Sequence, residues 1–166
     1  MQINLSRLKL QPQGSESFYL EEQGSDYILE GAGGKFLDTV VVELLVENTG
    51  RMYLARGTVK TRLSLPCSRC LMDFSLPIHT DIELAMGSAS KASDSEEDDE
   101  TIIFYGDLVD VSTPVFGAIF MAIPIIPLCQ TDCRGLCPVC GIDQNQGNCS
   151  CIKQEIDPRW EKLKNL

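Results

Sequence analysis

With 166 residues, 43% of them hydrophobic, and a formal net charge of −10, the chain is long enough for one ordinary domain with its own core and too apolar to be a disordered acidic tail. Its acidity excludes nucleic-acid binding by bulk charge and favours a basic protein as partner. Six of the acids are concentrated in Asp94-Ser95-Glu96-Glu97-Asp98-Asp99-Glu100. The longest apolar run, from Pro114 to Leu128, is too short to cross a bilayer and is broken by Pro124 and Pro127. The start, Met1-Gln2-Ile3-Asn4-Leu5, lacks the charged end and apolar block of a secretion signal. The expected location is therefore the cytoplasm, where the eight cysteines stay reduced and bind metal rather than pair as disulfides.

In chain order, residues 1–23 read as a polar, mixed lead-in, with a short helical or extended piece at residues 4–8. The β-branched run at 40–46 predicts a buried strand, and Asn48-Thr49-Gly50 a turn. Residues 53–65 alternate: Ala55, Val59, Leu63 and Leu65 share one face, and Arg56, Thr58, Lys60, Arg62 and Ser64 share the other. A further strand over 74–86 points Phe74, Leu76, Ile78, Ile82, Leu84 and Met86 inward, and Pro77 marks an edge or bulge. Between these two strands, Cys67-Ser68-Arg69-Cys70 falls at a hairpin tip. Residues 87–100 read as a flexible acidic loop and 101–105 as a short strand. Ser112 is a plausible N-cap for an apolar core helix with Pro114 in its first turn, and Pro124 ends it. Asp157-Pro158 opens a short terminal helix on which Trp160 and Leu163 share a face.

The pattern predicts an α+β fold: an antiparallel twisted β-sheet with one core helix and a C-terminal Cys-rich zinc knuckle. Residues 1–128 form the β-rich part, and residues 129–166 the zinc-binding tail.

Chemistry concentrates in the cysteines. Cys137-Pro138-Val139-Cys140-Gly141 gives two thiolates on a tight turn, and Cys149 and Cys151 close a tetrahedral set. The one-residue gap between Cys149 and Cys151 is tight, so Cys133 is an alternative ligand. Cys67 and Cys70 need two more ligands, and Cys129 and Cys133 are the unspent ones, making a second zinc site with structural work only. The rival reading of Cys67 and Cys70 is a thiol redox pair, but such pairs usually open a helix rather than join two strands. Arg56, Lys60 and Arg62, with Arg51 and Arg69, form a basic concentration that reads either as a solvated strand face or as a weak RNA-contacting strip. His79, the lone histidine, reads as a surface residue. No phosphate-binding glycine loop or firmly held carboxylate pair is present, and no small-molecule substrate or enzymatic activity is expected.

The order Cys67-Ser68-Arg69-Cys70-Leu71, acidic loop, Gly106-Asp107-Leu108-Val109-Asp110, helix, Ile123-Pro124-Ile125-Ile126-Pro127-Leu128-Cys129, Asp132-Cys133-Arg134-Gly135-Leu136-Cys137-Pro138-Val139-Cys140-Gly141 and Asp157-Pro158-Arg159 resembles the YceD family, the large-ribosomal-RNA-accumulation proteins of bacteria and plastids. The resemblance runs from about residue 40 to the end. It implies a cytoplasmic, non-enzymatic ribosome-biogenesis factor that supports synthesis, processing or stability of large-subunit ribosomal RNA. It also implies a ribosomal protein or rRNA as partner, and a structural role for the tail cysteines. The chain departs from the family pattern at Asp143-Gln144-Asn145, where Asn-Leu-Asn is usual, and at Ile126, where a basic residue is common.

Overall fold

Alternating apolar and polar side chains over residues 40–86 build a sheet with one face in the core. The computed structural model describes residues 1–89 and 101–151. The elements are β1 (Gln2–Asn4), α1 (Ser6–Lys9), β2 (Ser15–Glu22), a 3-10 helix (Asp26–Ala32), β3 (Lys35–Phe36), β4 (Val40–Asn48), β5 (Tyr53–Pro66), β6 (Asp73–Ser88), β7 (Thr101–Phe104), β8 (Leu108–Asp110) and α2 (Ser112–Ala122). The main sheet has the order β2-β4-β5-β6-β7, with β3 paired to β5 beyond the end of β4. Its pairs are antiparallel except β6–β7, which is parallel. β1 and β8 form a separate two-stranded antiparallel sheet. The architecture is thus α+β, with a mostly antiparallel sheet and few helices.

The core lies on one face of this sheet. Val40, Val42, Leu44 and Val46 of β4 meet Ala55, Val59, Leu63 and Leu65 of β5 and Ile78, Ile82 and Met86 of β6. Val115 and Ile119, one turn apart on α2, cover them, together with Leu29 of the 3-10 helix and Ile3, Leu5 and Leu8 near the start of the chain. The alternation expected for β5 and β6 places side chains as read. Pro77 lies where β6 has β5 as its neighbour and β7 does not reach, so its missing N–H breaks no ladder bond to β7.

β4 is the expected buried strand: Val40, Val42, Leu44 and Val46 lie in the core while Glu43, Leu45 and Glu47 are exposed. Three local expectations are corrected. The polar lead-in contains a whole strand, β2, which binds the edge of β4 over eight residue pairs. Its Phe18 and Leu20 pack on the core while its remaining positions are polar or exposed, as an edge strand allows. Residues Gly87 and Ser88 continue β6 and pair with β7. Ser112 is the first helical residue rather than the cap: no side chain caps the helix from Val111, and the Asp110 carboxylate accepts the Ser112 N–H at 2.9 Å. Ile123 adopts extended geometry because Pro124 follows it. The acidic run at 94–100 and the helix expected from Asp157 lie outside the described residues. Among the described residues, no helix is long and apolar enough to cross a membrane.

At Gly57, opposite Leu44, the β4 backbone leaves no room for a side chain: a Cβ there would stand 1.8 Å from the Glu43 carbonyl oxygen. Backbone cannot rotate away as a side chain can. Gly57→Ala should therefore destabilise the sheet by roughly 1–3 kcal/mol, read as a lowered denaturant midpoint at unchanged slope.

Candidate metal centres

The β5–β6 hairpin ends in Cys67-Ser68-Arg69-Cys70, and the chain leaving α2 returns to this tip. Ser68 N–H donates to the Pro127 carbonyl at 2.8 Å, which lays Cys129 and Cys133 beside the tip. The sulfurs of Cys67, Cys70, Cys129 and Cys133 all lie within 4.8 Å of one another, and those of Cys137, Cys140, Cys149 and Cys151 form a second such group. All eight are free thiols. In the first cluster Cys67 and Cys133 sulfurs are 3.8 Å apart, and Cys70 and Cys129 sulfurs 3.7 Å. A disulfide would need about 2.05 Å. Four sulfurs about 2.3 Å from one ion at a tetrahedron's corners are roughly 3.8 Å apart. Both donor sets therefore fit a tetrahedral, thiolate-binding metal ion with no open coordination position.

The two CxxC turns share one backbone design. Cys67 N–H donates to Met72 O at 2.9 Å, and Cys137 N–H to Ile142 O at 2.8 Å. Leu71 N–H donates to Cys67 O at 3.0 Å, and Gly141 N–H to Cys137 O at 2.9 Å. Arg69 N–H and Val139 N–H each point at the first sulfur of their turn at 3.5 Å. Both turns close through a left-handed residue, Leu71 at φ 63° and Gly141 at φ 74°. Leucine is a strained choice for that conformation and glycine is not.

These amides create uneven acidity. Burial pushes the Cys67 thiol up, but N–H groups of Cys129, Cys70 and Arg69 outweigh it and bring its pKa to about 6. Amides of Cys140 and Val139 do the same for Cys137, also to about 6. Desolvation and the sulfurs of Cys70 and Cys67 drive Cys129 up to about 12. Cys140 drives Cys151 up to about 12, with desolvation second. In each cluster one thiol, Cys67 or Cys137, is made acidic while another, Cys129 or Cys151, is held back, and a cation would let the four sulfurs act together as thiolates. The acidity of Cys67 thus arises from amides of the turn and its neighbours.

The basic residues of the strip lie beside acceptors of neighbouring segments. Arg56 pairs with Glu83 at 3.7 Å and Lys60 with Glu43 at 3.7 Å. Arg62 reaches Asp38 through Nε at 2.9 Å and Nη2 at 2.8 Å. Arg69 belongs with the first cysteine group: its Nη1 donates to the Cys133 carbonyl at 2.8 Å. His79 is exposed on the polar face of β6. Sequence reasoning gave Leu71, Asp143 and Asn145 no role at the cysteine groups. The parallel between Cys67-x-x-Cys70-Leu71 and Cys137-x-x-Cys140-Gly141 was the available signal for the first.

The asymmetry of the two turns is measurable. A Cβ on Gly141 would meet nothing within 4 Å, so Gly141→Ala tests the backbone conformation alone and should cost about 1–2 kcal/mol. Leu71 is 67% exposed and gives up little burial, so Leu71→Gly should be neutral or stabilising by up to about 1 kcal/mol. Opposite signs for the two substitutions in chemical denaturation of the metal-loaded protein are the expected result.

The family described as Large ribosomal RNA subunit accumulation protein YceD matches residues 55–166, both cysteine clusters included. An uncharacterized protein of Mycobacterium tuberculosis is 31% identical over 137 residues, covering 78% of this chain and 61% of that protein. The chain thus spans less than two thirds of this mycobacterial relative. An uncharacterized protein of Bacillus subtilis is 29% identical over 110 residues, covering 66% of this chain and 63% of its own length. A chloroplast protein of Arabidopsis thaliana, named as a large ribosomal RNA subunit accumulation protein YCED homolog, is 31% identical over 58 residues, 35% of this chain and 18% of that protein. No solved structure matches the chain. From the extent of the family match, the chain belongs to the YceD family of large ribosomal RNA subunit accumulation proteins.

Proposed function

We propose that the protein is a non-enzymatic, cytoplasmic ribosome-biogenesis factor that supports accumulation of large-subunit ribosomal RNA by binding a basic ribosomal protein. Two zinc ions hold its working shape, one in each four-cysteine cluster. The β-rich part, residues 1–128, and the Cys-rich tail, residues 129–166, are two parts joined at the first cluster.

The observation that carries the partner reading is the pairing of Arg56, Lys60 and Arg62 with Glu83, Glu43 and Asp38 on a chain of net charge −10. Positive charge matched by carboxylates has little left for phosphates, and the surplus acidity attracts cationic protein. An apolar surface is also available to such a partner. A groove of about 600 Å³ runs between the 3-10 helix, the hairpin tip and the end of α2, lined by Ala32, Leu71, Phe120, Met121, Ile125 and Pro127 among others. Met121 is 83% exposed and Ile125 fully so. A contiguous apolar surface of this kind is a recurrent mark of a protein contact.

Metal analysis of protein purified without chelator should give about two zinc ions per chain; none, with all thiols freely titratable, would remove the basis of the fold of the tail. Binding should be tested against large-subunit rRNA fragments and against basic large-subunit ribosomal proteins over a range of salt. Isolated rRNA should bind weakly, with a shallow salt slope of about −2 to −3. Replacing the six acids of 94–100 with Ser and Gln should weaken the ribosomal-protein contact more than Arg56→Ala with Lys60→Ala does. If the acid replacement changes nothing while the basic double variant abolishes binding to rRNA alone, direct RNA contact replaces the protein partner.

A further inference from the structure

The loop between the two halves of the tail cluster carries a residue that ligates in neither cluster. Asn145 reaches out of the 141–148 loop, and its Nδ2 donates to the Cys133 sulfur at 3.3 Å. Cys133 is buried and belongs to the other cluster. The rest of the Asn145 amide is also engaged. Nδ2 donates to Asp143 Oδ1 at 2.7 Å, and Oδ1 accepts from Arg134 N–H at 2.8 Å and from Gln130 Nε2 at 3.4 Å. Gln130 and Arg134 flank the turn that carries Cys133. The loop is fixed at its base as well: Gln144 N–H donates to Gly135 O at 2.9 Å, Leu136 bridges Asp143, and Ile142 O accepts the N–H of Cys137, a member of the tail cluster, at 2.8 Å.

A donor aimed at a ligating sulfur stabilises its thiolate and fixes its direction. This donor stands on a loop whose two ends, at Cys140 and Cys149, both enter the tail cluster. Gly141, Ile142, Gln144 and Asn145 include no buried side chain, so these hydrogen bonds and the cysteines at its ends, rather than apolar contact, hold the loop. We propose that Asn145 is a positioning residue that couples the two metal centres. Metal in the tail cluster orders the 141–148 loop, the loop delivers the Asn145 N–H to Cys133, and metal binding at the hairpin cluster is strengthened. Linkage requires the hairpin metal to strengthen the tail site by the same factor. The proposal rests on the reading of both clusters as metal centres.

The test uses the full chain loaded with ¹¹³Cd²⁺. Two cadmium resonances per chain are expected; fewer would overturn the two-centre reading and this proposal with it. In the unsubstituted protein, a through-bond coupling between the Asn145 side-chain N–H and the hairpin-cluster cadmium is expected, and its absence overturns the proposal even if a variant fails to fold. Asn145→Ala should then lower metal affinity at the hairpin cluster about 10- to 100-fold in chelator competition, and shift that resonance while the other stays in place. With the tail cluster disabled by Cys140→Ser and Cys151→Ser, the same substitution should have little effect. An equal loss in both backgrounds, or no loss in either while two ions remain bound, overturns the coupling and leaves the metal centres standing.

Discussion

Convergence of four sulfurs at the tip of the β5–β6 hairpin is the constraint on which the second half of the molecule depends. It fastens positions 59 and 66 residues apart in the chain. Around it Ser68 holds Pro127, Arg69 holds Cys133, and Leu136 N–H holds the Arg69 carbonyl. The apolar part of this join is small: Phe74, Leu128 and Leu136 pack against the cysteines. Beyond α2 the chain exposes Ile125, Ile126, Val139 and Ile142, so burial offers little to order it. A metal–thiolate bond set can supply what such a segment cannot obtain from apolar contact, as in small zinc-dependent modules.

Charge explains why a cation suits these clusters. Nearby amides lower one thiol in each cluster, Cys67 or Cys137, while Cys129 is raised, first by desolvation, and Cys151, first by Cys140. Four thiolates together are stable only around a positive ion, and with a divalent ion the set still carries about two negative charges. Filling both clusters therefore keeps the protein acidic. On the sheet's polar face, Arg56 and Lys60 pair with acids of neighbouring strands and Arg62 with Asp38, in the bend before β4. Exposed pairs of this kind contribute little to stability, and their main consequence here is for recognition.

Legibility in the sequence followed the strength of local patterning. β5 and β6 were readable residue by residue because each alternates over more than ten positions and one face is buried. β2, with the sequence Ser15-Glu16-Ser17-Phe18-Tyr19-Leu20-Glu21-Glu22, was not readable, because an edge strand need bury only one or two side chains and its polarity imitates a loop. The helix was recognised from its apolar content and Pro124, but its start was displaced by one residue: the Asp110 carboxylate, not Ser112, meets the first free N–H. Two CxxC turns and two later cysteine pairs were visible as ligands of some kind.

Local sequence thus determined the alternating faces of the central strands, the hairpin that presents Cys67 and Cys70, and the two turns able to hold a metal. Those features depend on a residue and its near neighbours. Tertiary structure alone decided that β7 runs parallel to β6, that Arg56, Lys60 and Arg62 are matched by Glu83, Glu43 and Asp38, and that Asn145 of one cluster's loop serves a sulfur of the other. The Arg56 and Lys60 pairs follow from strand register, the Arg62 pair from the bend before β4, and the Asn145 contact from the path of the chain after α2. None is encoded in the spacing of the residues that finally meet.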